Sequence, residues 1–175
     1  MLRAVETGID LMEHAEFLDP DHEMRFDPDL AEKMAECGIW TSPTLQAWTN
    51  YGRIVELEQK RDQGELSATA ENQLQALSNR AEKRLDIMRR MLDYCRIDRI
   101  VPGTDSGVGS LAFVHLDYDL RLLVKVGFTP GEALLSATGI SAEAIDMADK
   151  LGTIEPGKIA DLVAFKGDPT EDILA

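Results

Sequence analysis

Three short apolar runs, Gly8–Glu13, Gly38–Ser42 and Ile97–Pro102, are separated by segments of helical periodicity, and the last two stop at a proline that cannot donate to a central ladder. The first ends at His14, the second at Pro43, and the third at Pro102 and the glycine-rich turn around Asp105. A strand, helix, strand, helix order implies parallel strands with helices on the outside. In folds of that kind the chemistry lies beyond the carboxyl ends of the strands. The residues delivered there are His14, the Thr41-Ser42-Pro43-Thr44 segment and Asp105.

The helical segments carry their own punctuation. Gly8 sits where a preceding helix would end. Asp27 and Pro28 read as N-cap and first helical residue, with Leu30, Ala31 and Met34 on one face and Gly38 as the stop. Arg53 to Gln63 is a charged helix broken by Gly64. Leu74, Leu77, Ala81, Leu85, Met88 and Leu92 then recur at intervals of three and four. That pattern predicts an amphipathic helix packed on the outside of a sheet, with Arg80, Lys83, Arg84, Arg89 and Arg90 solvating its other faces. A further helix is expected from Leu116 to Val126. Thr129-Pro130-Gly131-Glu132 reads as a capping box opening a helix from Glu132 to Thr138, and Ser141 as the cap of another that stops at Gly152. Pro156-Gly157 fits the centre of a type II turn between two short strands.

Composition excludes several functions. Thirty-two acids against 18 bases give a formal charge of −14, which would repel a phosphate backbone, so nucleic acid is not an expected partner. No apolar run approaches the roughly 20 residues that cross a bilayer, and the first residues lack the apolar core of a signal peptide. No membrane association and a cytoplasmic location are expected. Cys37 and Cys95 have no C-x-x-C spacing, which argues against both a disulfide framework and a zinc knuckle.

His14 and Asp105, arriving from two strand ends, have the donor chemistry that a divalent zinc-like ion accepts. Each also has a plain structural reading, His14 as a hydrogen-bonded strand-end residue and Asp105 as a turn former. His22 lies in a polar Asp-His-Glu loop and reads as exposed. His115 stands at a helix start near the pocket mouth. Trp48 suits either stacking on a substrate ring or packing against a helix. The glycines after Asp105 do not form a phosphate cradle, because G-x-G-x-x-G spacing and a following lysine are both missing.

Taken together, Gly8-Ile-Asp-Leu-Met-Glu-His-Ala, Pro43-Thr-Leu, Gly103-Thr-Asp-Ser-Gly, Phe128-Thr-Pro-Gly-Glu-Ala-Leu, Ala137-Thr and Leu151-Gly-Thr-Ile-Glu-Pro-Gly-Lys-Ile-Ala-Asp-Leu-Val resemble the carboxyl-terminal half of the metal-dependent amidohydrolase superfamily. The likeness is to its imidazolonepropionase-like and dipeptidase-like branch, and residues from about Gly52 to Tyr94 contribute least to it. The resemblance implies an α/β fold: part of a (β/α)8 barrel, the last three repeats, over residues 1–150, with a hairpin of a small β-sandwich domain over 151–175. It implies that His14, ending the sixth strand, binds metal. It also implies that Asp105, ending the eighth, binds metal and takes a proton from the attacking water. Thr44, Ser106 and His115 are the candidate substrate-binding residues, with Thr41 to Trp48 and the Gly107 to His115 loop as pocket wall.

The family pattern also needs a His-x-His pair on the first strand, a lysine or its equivalent on the fourth and a histidine on the fifth. This chain has three histidines, none two apart, and 13 residues before His14. A (β/α)8 barrel takes about 250 residues. Two ligands fall short of the three that a catalytic zinc ion usually has, so zinc should bind this chain weakly or not at all. An opened barrel leaves strand edges unpaired, so self-association or a missing N-terminal half is expected as partner, beside a small-molecule substrate. Two functions stay open. One is the terminal portion of a hydrolase of amide, cyclic amide or dipeptide-like C–N bonds, inactive as this chain alone; the other is a non-catalytic remnant serving as a binding or assembly module. A flavodoxin-like domain binding a small ligand at Asp105 ranks third, because the terminal hairpin and the long helical excursion have no place in it.

Overall fold

The computed structural model describes residues 1–18, 21, 23–95, 97–107, 113 and 115–173. His22 lies outside the described residues, as does most of the expected Gly107 to His115 pocket wall (108–112 and 114). Helix α1 (Leu2–Glu6) ends at Thr7, and Gly8, at φ 73°, turns the chain into strand β1 (Leu11–Glu13). Helix α2 (Pro28–Glu36) starts as its sequence demands: the Asp27 carboxylate accepts from Leu30 N–H at 3.1 Å, Pro28 fills the first position, and Leu30, Ala31 and Met34 are buried. Strand β2 (Trp40–Ser42) follows and pairs with β1 in parallel, Leu11 opposite Trp40, Met12 opposite Thr41 and Glu13 opposite Ser42. The ladder is closed at its ends by Trp40 N–H to Asp10 O (2.9 Å) and His14 N–H to Ser42 O (2.8 Å).

The third expected strand is much reduced. Ile97–Arg99 form a 3₁₀ turn, and only Ile100 bridges in parallel to Thr41, with Val101 N–H donating to Thr41 O at 3.0 Å. A strand buried on both faces wants a continuous apolar run. Asp98 and Arg99 interrupt it, and Arg99 instead lays its guanidinium 4.3 Å over the Trp40 ring. The direction survives nonetheless: three parallel segments deliver their carboxyl ends to one side, with β2 in the middle.

After β2 the expected pocket-wall segment Thr41 to Trp48 runs into a short helix α3 (Leu45–Thr49), followed by α4 (Tyr51–Asp62) and the long α5 (Ala68–Met91), capped by Ser67, whose hydroxyl accepts from Ala70 N–H. Ile54 and Leu57 of α4 pack with Leu74 and Ala81 of α5 in a small separate core. The main core joins Met12, Met34 and Ile39 to Met88 and Met91 of α5 and to Leu122 and Leu123 of α6 (Leu116–Val126).

Helix α7 (Pro130–Leu135) opens on the expected capping box, Thr129 N–H donating to Glu132 at 2.7 Å and Glu132 N–H to the Thr129 hydroxyl at 3.2 Å. It continues through a π turn at Ser136–Ile140 into α8 (Ser141–Ala144). Ser141 is therefore not a cap: its backbone is helical, and its hydroxyl donates to Ser136 O at 2.6 Å, answering a carbonyl that the wider π turn frees. The tail makes the Pro156-Gly157 turn, with Gly157 at φ 95° and Lys158 N–H donating to Glu155 O at 3.2 Å. Among the described residues no strands flank it, and Ile154, Leu162 and Val163 stand 90%, 66% and 78% exposed. A two-stranded hairpin with no third strand or helix against it is marginal in water, which accounts for the unpaired chain.

Candidate active site

The three segment ends share an uncommon backbone conformation. His14 (φ 66°), Thr44 (φ 46°) and Asp105 (φ 52°) are all left-handed, a state that costs a non-glycine residue about 1–2 kcal/mol. Three such residues at the carboxyl ends of three adjacent parallel segments mark where this fold holds strain, and held strain clusters at functional sites. Gly103 lets the third segment close in: a Cβ there would collide with the Ser42 hydroxyl and lie 3.1 Å from Thr44 Cγ2.

These turns bring three expected site residues together. His14 Nδ1 lies 2.8 Å from Thr44 Oγ1 and 3.9 Å from Asp105 Oδ2, and Trp48 Nε1–H donates to the same Nδ1 at 3.1 Å. The indole can only donate, so Nδ1 is the acceptor in this arrangement. Trp48 therefore neither lies free for stacking nor merely packs on a helix; its ring meets His14 edge-on at 5.7 Å. Ser106, next to Asp105, donates from its hydroxyl to Thr104 Oγ1 at 2.7 Å. His115 is elsewhere: it precedes α6, stacks flat on Tyr118 at 4.4 Å, and lines neither of the two clefts described here.

A smaller cleft of about 290 Å³ is lined by Glu13, Ser42, Thr44, Asp105, Ser141 and Ile145. A larger one of about 1120 Å³ lies between α5 and the chain after β1, with Glu16, Phe26, Trp48, Arg80, Arg84 and Arg90 in its wall.

His14 and Asp105 suit a divalent ion in part. Two ligands at about 2.0–2.1 Å from one tetrahedral ion stand about 3.3 Å apart. The observed 3.9 Å is measured to Nδ1, whose lone pair already accepts from the Trp48 indole, so ligation needs the His14 ring to turn and either release that bond or bring Nε2 toward Asp105. Among the described residues no group of three or more His, Cys, Asp or Glu side chains converges, so the chain offers one edge of a metal site.

Buried polar side chains stand behind this edge, and the sequence reading missed them. Arg84, expected to solvate α5, is 1% exposed. Its guanidinium donates to the carbonyls of Ala15 (2.9 Å), His14 (2.7 Å) and Pro43 (3.1 Å). Burial lowers its pKa to about 10, against the opposing pull of Glu16. The same burial raises the Glu16 carboxyl above its ordinary value, a shift that Arg84, His14 and Arg80 partly offset. Asp119 of α6 is 1% exposed and pushed up to about 7 by burial, against hydrogen bonds from the Gln46 and Leu45 N–H groups. Gln46, also buried, donates from Nε2 to Thr104 O at 3.1 Å, one residue before Asp105. A signal for Arg84 was present, since it continues the spacing Leu77, Ala81, Met88, Met91 on the apolar stripe of α5.

The model of the amidohydrolase family matches residues 1–175, and the chain belongs to that family. Imidazolonepropionase of Geobacillus kaustophilus (strain HTA426) is 44% identical over 84 residues, which are 45% of this chain and 20% of that protein. A Xaa-Pro dipeptidase solved with methionine in its active site superposes with a TM-score of 0.66 at 27% identity, over 98% of this chain and 37% of that one. The ochratoxinase of A. niger gives a TM-score of 0.64 at 24% identity, over 98% of this chain and 34% of its own, a likeness of fold alone. The chain thus spans little more than a third of the solved structures it matches. Among the described residues no helix is long and apolar enough to cross a membrane.

Proposed function

We propose that this chain forms the carboxyl-terminal edge of the active site of a metal-dependent hydrolase that cleaves C–N bonds of amides, cyclic amides or dipeptide-like molecules. The observation that carries the reading is the meeting of His14, Thr44 and Asp105 at three parallel segment ends, with His14 and Asp105 3.9 Å apart, in a chain of the amidohydrolase family. His14 and Asp105 are the residues that would hold the divalent ion, zinc by expectation. Such an ion, when bound, polarises the scissile carbonyl and acidifies water. Asp105 is the group that takes a proton and passes it to the departing amine. Thr44, which lines the smaller cleft, and Ser106, next to Asp105, are the proposed substrate contacts, whereas His115 lines neither cleft.

The remaining ligands would come from residues outside this chain, either the N-terminal part of a barrel or a second copy. Residues 1–150 would then be the terminal barrel repeats and 151–175 a piece of a β-sandwich completed by its partner. Support comes from the exposed apolar tail and from two outer segments, β1 and the Ile100 bridge, that pair on one side only among the described residues. The donor set, incomplete among the described residues, leaves room for the second reading, a remnant that binds or assembles without catalysis.

Elemental analysis of the purified protein, with its mass in solution and Asp105→Asn as control, tests the proposal. Near-stoichiometric zinc that the variant loses, in a species heavier than the 19.4 kDa monomer, would show a second copy completing the site, whereas the chain as a monomer should hold zinc weakly or not at all. A metal-free monomer that unfolds cooperatively and hydrolyses no dipeptide or cyclic amide favours the remnant.

A further inference from the structure

We propose that Arg84 is a positioning residue of this site, the clamp that holds His14 and Thr44 in their left-handed conformations. The inference rests on the site reading above, but its geometry stands without a metal. A carbonyl belongs to the peptide plane shared by its own residue and the next, so its orientation is set by ψ of the first and φ of the second. The His14 carbonyl reports ψ of His14, and the Pro43 carbonyl reports φ of Thr44. Both are held by the same nitrogen of Arg84, at 2.7 and 3.1 Å, while its other terminal nitrogen holds the Ala15 carbonyl at 2.9 Å.

These carbonyls lie just past the last ladder hydrogen bond, His14 N–H to Ser42 O. The sheet has ended there, and buried carbonyls need another donor. A guanidinium presents several donors in a rigid plane, so one side chain ties together the exits of two strands. In the same stroke it fixes the backbone beneath the 2.8 Å contact between His14 Nδ1 and Thr44 Oγ1.

The position of Arg84 argues that stability alone does not explain it. It occupies the apolar stripe of α5 and is 1% exposed, where an apolar side chain would pack without desolvating a charge. Its Nε is buried without a hydrogen-bond partner. What the guanidinium supplies that an apolar residue cannot is a fixed relation between β1 and β2 at the point where the site begins.

The test compares the whole chain with Arg84→Lys and Arg84→Met by NMR. The readouts are the ring nitrogens of His14, the indole N–H of Trp48, and hydrogen exchange of the His14 amide. In Arg84→Met the indole N–H should move upfield as its bond to His14 loosens, and the His14 amide should exchange at least tenfold faster. Methyl signals of Leu57 and Leu74, in the separate core, should stay in place. Arg84→Lys keeps the charge but cannot span three carbonyls, so it should shift the same site signals while remaining folded. Folded variants with His14 and Trp48 signals at their wild-type positions would overturn the proposal. Failure of Arg84→Lys to fold would overturn it too, by showing a role in general stability. Zinc content does not enter these readouts, so the inference and the hydrolase reading can fail separately.

Discussion

At pH 8 Asp119→Asn should be more stable than the wild type, and by pH 5 the difference should be close to zero. Asp119 is 1% exposed, its pKa is raised from 3.8 to about 7 by burial, and its Oδ2 has no hydrogen-bond partner. Below the unfolded value both states hold the proton. As pH rises from about 4 to about 7 the folded state keeps it while the unfolded state releases it, so stability falls across that window and is level above it. At about 1.4 kcal/mol per pKa unit, the full loss is about 4 kcal/mol. Asparagine removes the titration but leaves buried amide hydrogens unsatisfied, at about 1–3 kcal/mol. The net gain at pH 8 is then about 2 kcal/mol, or roughly 4–8 °C in Tm for a domain of this size. Urea unfolding at pH 5, 6, 7 and 8, followed by tryptophan fluorescence, measures it. Parallel pH profiles for wild type and variant would refute the reasoning, because they would show that Asp119 titrates alike in both states.

Two glycines separate backbone strain from collision. Gly8→Ala meets no atom within 4 Å and should lose about 1 kcal/mol for its positive φ alone, whereas Gly152→Ala would place a Cβ 2.6 Å from Ala142 Cβ and 3.0 Å from Thr138 O and should lose about 3 kcal/mol or more by chemical denaturation. Equal losses would contradict the packing of α8 against Gly152. Of the two thiols, exposed Cys37 should react with a disulfide reagent within minutes, while Cys95, buried and with its pKa pushed up, should react only at the rate of unfolding.

Elements with local punctuation were legible in the sequence. Asp27-Pro28 and Thr129-Pro130-Gly131-Glu132 each define a helix start within a few residues, and both form as read. The strand ends were legible too, because Pro43 and Pro102 terminate apolar runs, so His14, Thr44 and Asp105 could be named before their meeting was visible. Features that depend on neighbours were not. The run Ile97–Pro102 looks like a strand until Arg99 finds the Trp40 ring, and Ser141 looks like a cap until the preceding helix widens and runs through it. The left-handed turn at Thr44 has no sequence signature, since a β-branched residue disfavours it, and histidine, though enriched in that region, adopts it too seldom for His14 to be read so from the sequence. Arg84 was visible on its apolar stripe, but a charged residue among four other basic residues invites a solvent-facing reading, and only the carbonyls it reaches reveal otherwise.

The most direct test of the account is a titration of the isotopically labelled chain with Mn²⁺, whose paramagnetism reports even weak, millimolar binding at a two-ligand site. The account predicts selective broadening of the His14 ring, the Trp48 indole and Asp105, lost in Asp105→Asn. Broadening that spares these three residues, or that persists in Asp105→Asn, would contradict it.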